Sequence, residues 1–165
     1  MPSGCKARFR KWQKSVQPAN GGVQRLALSD EDKQARDLFV KWLGQIDLEV
    51  RIDEMGNIFG WRKRTNNELP PVMSGSHIDS QPKGGRFDGI LGVLGALEVL
   101  RTLQENKVAI KRPMTVVVWT NEEGTRFSPA TWWPPWGKFR TNPIPETSYR
   151  TRFILPWISA PGMMS

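Results

Sequence analysis

Cysteine and histidine each occur once in the 165 residues of the sequence, as Cys5 and His77. A single cysteine excludes an internal disulfide framework and favours a reducing compartment. No apolar run approaches the roughly 20 residues that span a bilayer. No apolar core of a signal peptide follows Met1. These absences predict a cytoplasmic protein with no membrane partner.

Acidic residues are scarce at both ends of the chain, which explains the formal net charge of +8. Residues 1–29 contain six basic residues and no acidic one, and residues 131–165 contain four basic residues and only Glu146 as an acid. Residues 30–130 contain 14 basic and 15 acidic residues. A basic, aromatic-bearing end can bind phosphate backbones, but the sequence has no groove-reading motif. We therefore expect no nucleic-acid partner.

Periodicity divides the chain into three parts. Residues 1–24 show neither helical nor strand periodicity and are predicted to form a flexible, basic lead-in. Residues 25–130 carry regular apolar patterns and are predicted to form one globular domain. Residues 131–165 hold four tryptophans and six prolines without periodicity, so we expect an aperiodic Trp/Pro-rich tail.

The first half of the globular part predicts a helix and a hairpin. Ser29 is a candidate N-cap, and apolar residues at three- and four-residue spacing after it predict an amphipathic helix. A period of two over residues 48–52 predicts a strand, and the turn at 55–57 leads into a second strand over 58–61.

The second half predicts a βαβ unit. Residues 72–75 form a short candidate strand, residues 89–103 have helical periodicity, and residues 114–119 are a continuous apolar run typical of a buried parallel strand. The order strand, helix, strand predicts an α/β fold with a partly parallel sheet.

Polar residues lie where the strands of this unit end. His77 and Asp79 follow the first strand, Asp88 precedes the helix, and Glu122 and Glu123 follow the second strand. Ligands of open α/β sheets bind outside the carboxyl ends of the strands, so we expect these side chains to converge. Imidazole nitrogen and carboxylate oxygen suit a borderline divalent metal. The sequence therefore predicts half of a two-metal hydrolytic site.

The residues also suggest roles. Asp88 can bridge two ions about 3.5–4 Å apart, and Asp79 can accept the second N–H of the His77 imidazole. One of the adjacent glutamates Glu122 and Glu123 can bind metal while the other faces the attacking water. Taken singly, these residues are also explained as a hydrogen-bonded surface histidine, a helix N-terminal charge and a solvated turn. Their joint placement at one edge favours the site.

Three blocks resemble the signatures of the amidase/hydantoinase/carbamoylase family: GSHIDS at 75–80, GGRFDG at 84–89 and WTNEEGTRF at 119–127. The segment GGVQRLALS at 21–29 resembles the family's lead into its first helix. Members include N-carbamoyl-L-amino acid hydrolases, β-ureidopropionases and allantoate amidohydrolases, relatives of the two-metal aminoacylase-type peptidases. The resemblance extends over about 21–130 and implies part of a zinc-peptidase-like α/β/α catalytic domain.

The resemblance implies a role for each residue of the site. His77 would bind one metal ion, Asp88 would bridge both, and Glu123 would bind the second. Glu122 would be the general base that activates water, and Asp79 would orient His77. The implied cofactors are two divalent ions, zinc or manganese. The implied reaction is hydrolysis of a non-peptide C–N bond in a small linear carbamoyl or ureido substrate.

The sequence also departs from this family. It has no second histidine, whereas family members take two further histidine ligands from later in their sequence. Each metal would then keep two protein ligands, one of them shared, which is fewer than the three of a catalytic zinc site. Family members form homodimers through an inserted lid domain, which we expect to be absent here. We therefore expect a truncated hydrolase that holds little zinc, or alternatively an inactive fragment or an interaction module.

The start of the tail, Thr131-Trp132-Trp133-Pro134, has no resemblance to the family. Because tryptophan has the single codon TGG, this stretch read in a shifted frame can encode Met-Val-Ala, a continuation of the kind that the family shows. We therefore hypothesise a frameshifted, truncated gene product. Coding DNA without family-like sequence in the other frame would refute this hypothesis.

Overall fold

The computed structural model describes residues 7, 9–12, 23–62 and 69–128. The Trp/Pro-rich tail predicted for 131–165 lies outside these residues. The named elements are α1 (Asp30–Gly44), β1 (Glu49–Ile52), β2 (Ile58–Arg62), β3 (Val72–His77), α2 (Ile90–Glu105) and β4 (Met114–Trp119). Within the described ranges, no helix is long and apolar enough to cross a membrane.

Helix α1 begins where its sequence predicts. The hydroxyl of Ser29 accepts a hydrogen bond from the backbone N–H of Asp32, and three acidic residues occupy the first turn. Both features stabilise a helix N-terminus, because the first amides have no partner within the helix and carry partial positive charge. One face of α1 is buried through Ala35, Phe39, Trp42 and Leu43.

The four strands form one mixed sheet in the order β1-β2-β4-β3. Strand β2 pairs antiparallel with both β1 and β4, whereas β3 pairs with β4 in parallel. The predicted α/β fold with a partly parallel sheet is confirmed. Strand β4 lies between β2 and β3, which explains its continuous apolar sequence, since Val116, Val117 and Val118 are all buried.

Helix α2 connects the two parallel strands and packs closely on β3. Its buried face consists of Ile90, Val93, Leu94, Ala96, Leu97, Leu100 and Arg101. Gly75 of β3 allows the backbone of β4 to approach, because a Cβ at this position would lie 1.9 Å from the carbonyl oxygen of Val117. Position 75 must therefore be a glycine for β3 and β4 to pair at this distance.

A short helical segment near the start of the chain packs against the globular part. Residues 9–12 are helical, and Trp12 is buried with its ring 5.8 Å from that of Trp42. Phe9 stacks on Phe87 with a centroid distance of 5.1 Å. The lack of periodicity over 1–24 did not predict this helical turn or its packing. Two aromatic side chains three positions apart share one helix face, and this pattern is too short for periodicity to reveal.

Candidate active site

The parallel strand pair places the predicted site residues at one edge of the sheet. His77 is the last residue of β3 and lies opposite Trp119, the last residue of β4. Residues that follow these two positions therefore leave the sheet side by side. Asp88 reaches the same edge from the other direction, because α2 begins two residues later at Ile90.

The imidazole of His77 is the centre of this arrangement. Its Nε2 atom lies 3.3 Å from Glu122 Oε2 and 3.9 Å from Asp88 Oδ1. Its Nδ1 atom lies 3.0 Å from the main-chain oxygen of Asp79. A carbonyl oxygen can only accept, so Nδ1 carries the proton of this hydrogen bond. The structure thus brings His77, Asp88 and Glu122 together, and the main-chain oxygen of Asp79 fixes the opposite side of the imidazole ring.

Asp79 connects the two loops of the site. Its carboxylate is buried and accepts hydrogen bonds from the backbone N–H of Glu122, at 3.2 Å, and from that of Glu123, at 3.1 Å. The same carboxylate lies 3.6 Å from His77 Nδ1, which is farther than the main-chain oxygen of Asp79. The side chain of Asp79 therefore fixes the loop after β4, while its main chain holds the ring of His77.

The adjacent glutamates contact different partners. Glu122 Oε2 faces His77, whereas Glu123 Oε2 accepts a hydrogen bond of 2.6 Å from Gln81 Nε2. The backbone at Asn121 has a φ of +56°, a left-handed conformation that asparagine tolerates better than most residues. The loop therefore separates the two carboxylates directly after β4.

Burial and neighbouring charge act in opposite directions on the pKa of His77. Burial lowers the pKa, but hydrogen bonds that the imidazole donates to Asp79 and the negative charge of Glu122 raise it to about 9. Burial also raises the pKa of Glu122, Glu123 adds to this effect, and the charge of His77 opposes it. At neutral pH the imidazole is consequently protonated and attracts the carboxylate of Glu122.

Gly89 makes room for the imidazole. Its φ is +63°, and a Cβ at this position would lie 2.5 Å from atoms of the His77 ring. Both the backbone conformation and the missing side chain are therefore required for the ring to sit against the start of α2. The sequence block at 84–89 contains this glycine, but spacing alone does not reveal the contact.

Several residues that support the site were missed by the sequence reasoning. The side chain of Asn57 is buried and accepts a 2.8 Å hydrogen bond from the backbone N–H of Thr120. Arg36 donates to the hydroxyl of Thr120 at 3.1 Å and to the carbonyl of Gly56. These contacts join α1 and the β1–β2 turn to the loop that carries Glu122. The only available signal was an asparagine in a turn, which suggests a conformation rather than a long-range contact.

The donors at this edge have the chemistry of a zinc site but do not complete one. His77 Nε2 is flanked by carboxylate oxygens of Asp88 and Glu122, and imidazole and carboxylate are zinc ligands. Within residues 7, 9–12, 23–62 and 69–128, however, no group of three or more His, Cys, Asp or Glu side chains is arranged to hold a metal ion. A catalytic zinc ion takes three protein ligands. The described residues therefore supply the right donor types in an incomplete set.

Residues 73–134 match the sequence profile of the peptidase family M20/M25/M40. The chain is 46% identical over 110 residues to an N-carbamoyl-L-amino-acid amidohydrolase of Rhizobium meliloti, an alignment that covers 67% of this chain and 26% of that protein. It is 43% identical over 105 residues to a ureidoglycolate hydrolase of Oryza sativa subsp. japonica, which covers 64% of this chain and 22% of that protein.

The fold is similar to that of a solved hydantoinase/carbamoylase family amidase from Burkholderia ambifaria, with a TM-score of 0.75 and 43% sequence identity. This match covers 78% of the chain and 31% of the amidase. The resemblance drawn from the three sequence blocks is therefore confirmed over the aligned part. The chain spans about a quarter of the length of the curated relatives that it matches.

Proposed function

We propose, from this similarity to the hydantoinase/carbamoylase amidases, that the chain carries one half of the active site of a metal-dependent amidohydrolase. The proposed reaction is hydrolysis of a non-peptide C–N bond in a small linear carbamoyl or ureido compound. The observation that carries the proposal is the convergence of Asp88 and Glu122 on His77 Nε2, at 3.9 and 3.3 Å. The names of the relatives, which act on N-carbamoyl amino acids and ureidoglycolate, support the substrate class.

Each residue has a proposed role. His77 would bind one divalent ion, Asp88 would bridge two, and Glu123 would bind the second after leaving Gln81. Zinc and manganese are the proposed ions, and the remaining ligands would come from outside the described residues. A bound divalent ion lowers the pKa of a coordinated water to about 7.

The chain's own residues would organise the proton transfer. Glu122 is the proposed general base, and burial raises the pKa of its carboxyl group, which makes the carboxylate a stronger base. Asp79 holds the main chain of Glu122 and the ring of His77 at the same time. It therefore sets the distance between the base and the proposed metal ligand.

Other properties of the protein follow from the same proposal. A small-molecule substrate is the proposed partner, without nucleic acid or membrane. The single cysteine supports the proposed cytoplasmic location.

The experiment that tests this function is a chimera. The aligned 110-residue segment of the Rhizobium meliloti amidohydrolase is replaced by that of this chain, so that the other three quarters of the enzyme supply whatever the segment lacks. Ammonia release from N-carbamoyl-L-amino acids is then measured with zinc or manganese, and after chelation. Metal-dependent turnover supports the proposal, whereas a folded, metal-loaded chimera without turnover contradicts it.

A further inference from the structure

Arg25 is buried beside the site and bonds to both neighbours of Asp79 in the sequence. Its side chain is 2% exposed, and its Nε donates to the carbonyl of Ile78 at 2.6 Å. Its backbone N–H donates to the hydroxyl of Ser80 at 2.9 Å, and its backbone carbonyl accepts from the N–H of Ser80 at 2.8 Å. Three hydrogen bonds therefore join Arg25 to Ile78 and Ser80, the residues on either side of Asp79.

The position of Asp79 in turn determines the geometry of the site. Its carboxylate binds the backbone amides of Glu122 and Glu123, and its main-chain oxygen binds His77 Nδ1. A displacement of Asp79 would therefore move the loops after β3 and β4 relative to each other. Arg25 acts one step further out, because it fixes the main chain on either side of Asp79.

Arg25 also supplies positive charge to a region with two buried carboxylates. Burial lowers the pKa of Arg25 to about 10, while the charges of Asp32 and Asp79 oppose this effect. The guanidinium therefore stays protonated at neutral pH. The ring of Trp12 lies over it, 5.5 Å from centroid to Cζ, which shields the cluster from water and strengthens its electrostatic attraction. A buried carboxylate without such a partner would be costly.

We propose that Arg25 is a positioning residue of the site: through the Ile78 carbonyl and through Ser80 it holds Asp79, and through Asp79 it holds His77, Glu122 and Glu123. The importance of this arrangement for hydrolysis rests on the function proposed above. The arrangement itself is a property of this chain and is testable without turnover.

Arg62 provides a matched control. Its guanidinium donates to Gln104 Oε1 and to the carbonyls of Leu103 and Val108, so it too bonds to main-chain oxygens. It pairs with Met114 at the beginning of β4, which is the opposite end of that strand from the site. Loss of the Arg62 side chain therefore removes three hydrogen bonds, compared with one for the Arg25 side chain, without touching the loops of the site.

The experiment compares Arg25→Met, Arg25→Lys and Arg62→Met in the 165-residue chain by nuclear magnetic resonance. Two signals are followed: the amide hydrogen exchange of Glu122 and Glu123, and the imidazole resonances of His77, which are unambiguous because the chain has one histidine. Arg25→Met is expected to accelerate exchange of both amides by about tenfold or more, because the Arg25 side chain no longer opposes local opening of the loop after β4. It is also expected to shift the imidazole signals. Arg25→Lys, which keeps a charge and a donor, is expected to restore most of both. Arg62→Met is expected to leave both unchanged.

The proposal is overturned if Arg25→Met leaves the two amides at the wild-type rate, or if Arg62→Met accelerates them equally. If Arg25→Met does not fold, Arg25→Gln and Arg62→Gln, which remove the charge of each side chain, are compared instead. Faster exchange in Arg25→Gln alone supports the proposal, and equal rates in the two variants overturn it. An inactive chimera would count against the hydrolase function and would leave this result unaffected.

Discussion

His77 Nε2 lies 3.3 Å from Glu122 Oε2, so the proposed metal ligand and the proposed general base contact each other directly. Binding of a metal ion at His77 Nε2 would have to break this ion pair. The ion pair is also the origin of several measurable properties of the chain.

The first prediction concerns pH. The raised pKa of His77, about 9 compared with an ordinary 6.5, means that its charge stabilises the metal-free fold. This contribution is fully present below about pH 6.5 and is lost as the pH rises through about 9. We expect the imidazole signals to titrate near pH 9 and the free energy of unfolding to fall between pH 7 and 10, by on the order of 2 kcal/mol relative to His77→Gln. A titration midpoint near the ordinary value would contradict the ion pair.

The second prediction concerns Gly89. Gly89→Ala places a Cβ 2.5 Å from the His77 ring at a φ of +63°, so we expect a loss of about 1–3 kcal/mol in the free energy of unfolding. Urea denaturation measures this loss. Gly95→Ala in α2 is the control, because its Cβ meets nothing within 4 Å. It is expected to stabilise the helix by up to about 1 kcal/mol. Equal effects of the two substitutions would be inconsistent with the packing at Gly89.

The third prediction concerns Asn57. Removal of its side chain in Asn57→Ala leaves the backbone N–H of Thr120 without its buried acceptor, which is expected to cost about 1–3 kcal/mol. The control is Asn106→Ala at the end of α2, where the lost hydrogen bond to Thr102 is exposed. Thermal unfolding of both variants is the measurement. A smaller effect at Asn57 than at Asn106 would argue against its role in holding the loop of Glu122.

The fourth prediction concerns metal. Because the described residues do not complete a three-ligand set, we expect the 165-residue chain to bind zinc weakly and below one equivalent. Calorimetric titration of the chain and of His77→Ala measures this binding. One or two equivalents bound tightly by the chain, and lost in His77→Ala, would show that the ligand set is complete without further residues.

The sequence predicted the elements well because each depends on local information. The structure contains a helix that begins directly after the predicted cap at Ser29. It also contains strands with nearly the bounds predicted from the alternation over 48–52 and the apolar run at 114–119. The order of strands in the βαβ unit was sufficient to bring His77, Asp88 and Glu122 to one edge.

The contacts that hold the site were not predictable in the same way. Arg25 and Ile78 are 53 positions apart, and Asn57 and Thr120 are 63 apart. Neither pair follows from periodicity, because such contacts depend on how β2 and α1 pack around β4. The burial of Trp12 was missed for the same reason. Secondary structure therefore predicted the position of the candidate site, whereas the contacts that support it depend on tertiary packing.

The most direct test of the account is the kcat of the chimera with and without Glu122. Glu122→Gln removes the proposed base while keeping the size of the side chain, so we predict a decrease of about 10²–10⁴-fold in kcat at unchanged metal content. Glu105→Gln at the exposed end of α2 is the matched control and should retain the activity of the unmodified chimera. If Glu122→Gln hydrolyses N-carbamoyl-L-amino acids as fast as Glu105→Gln, the role assigned to this edge of the sheet is wrong.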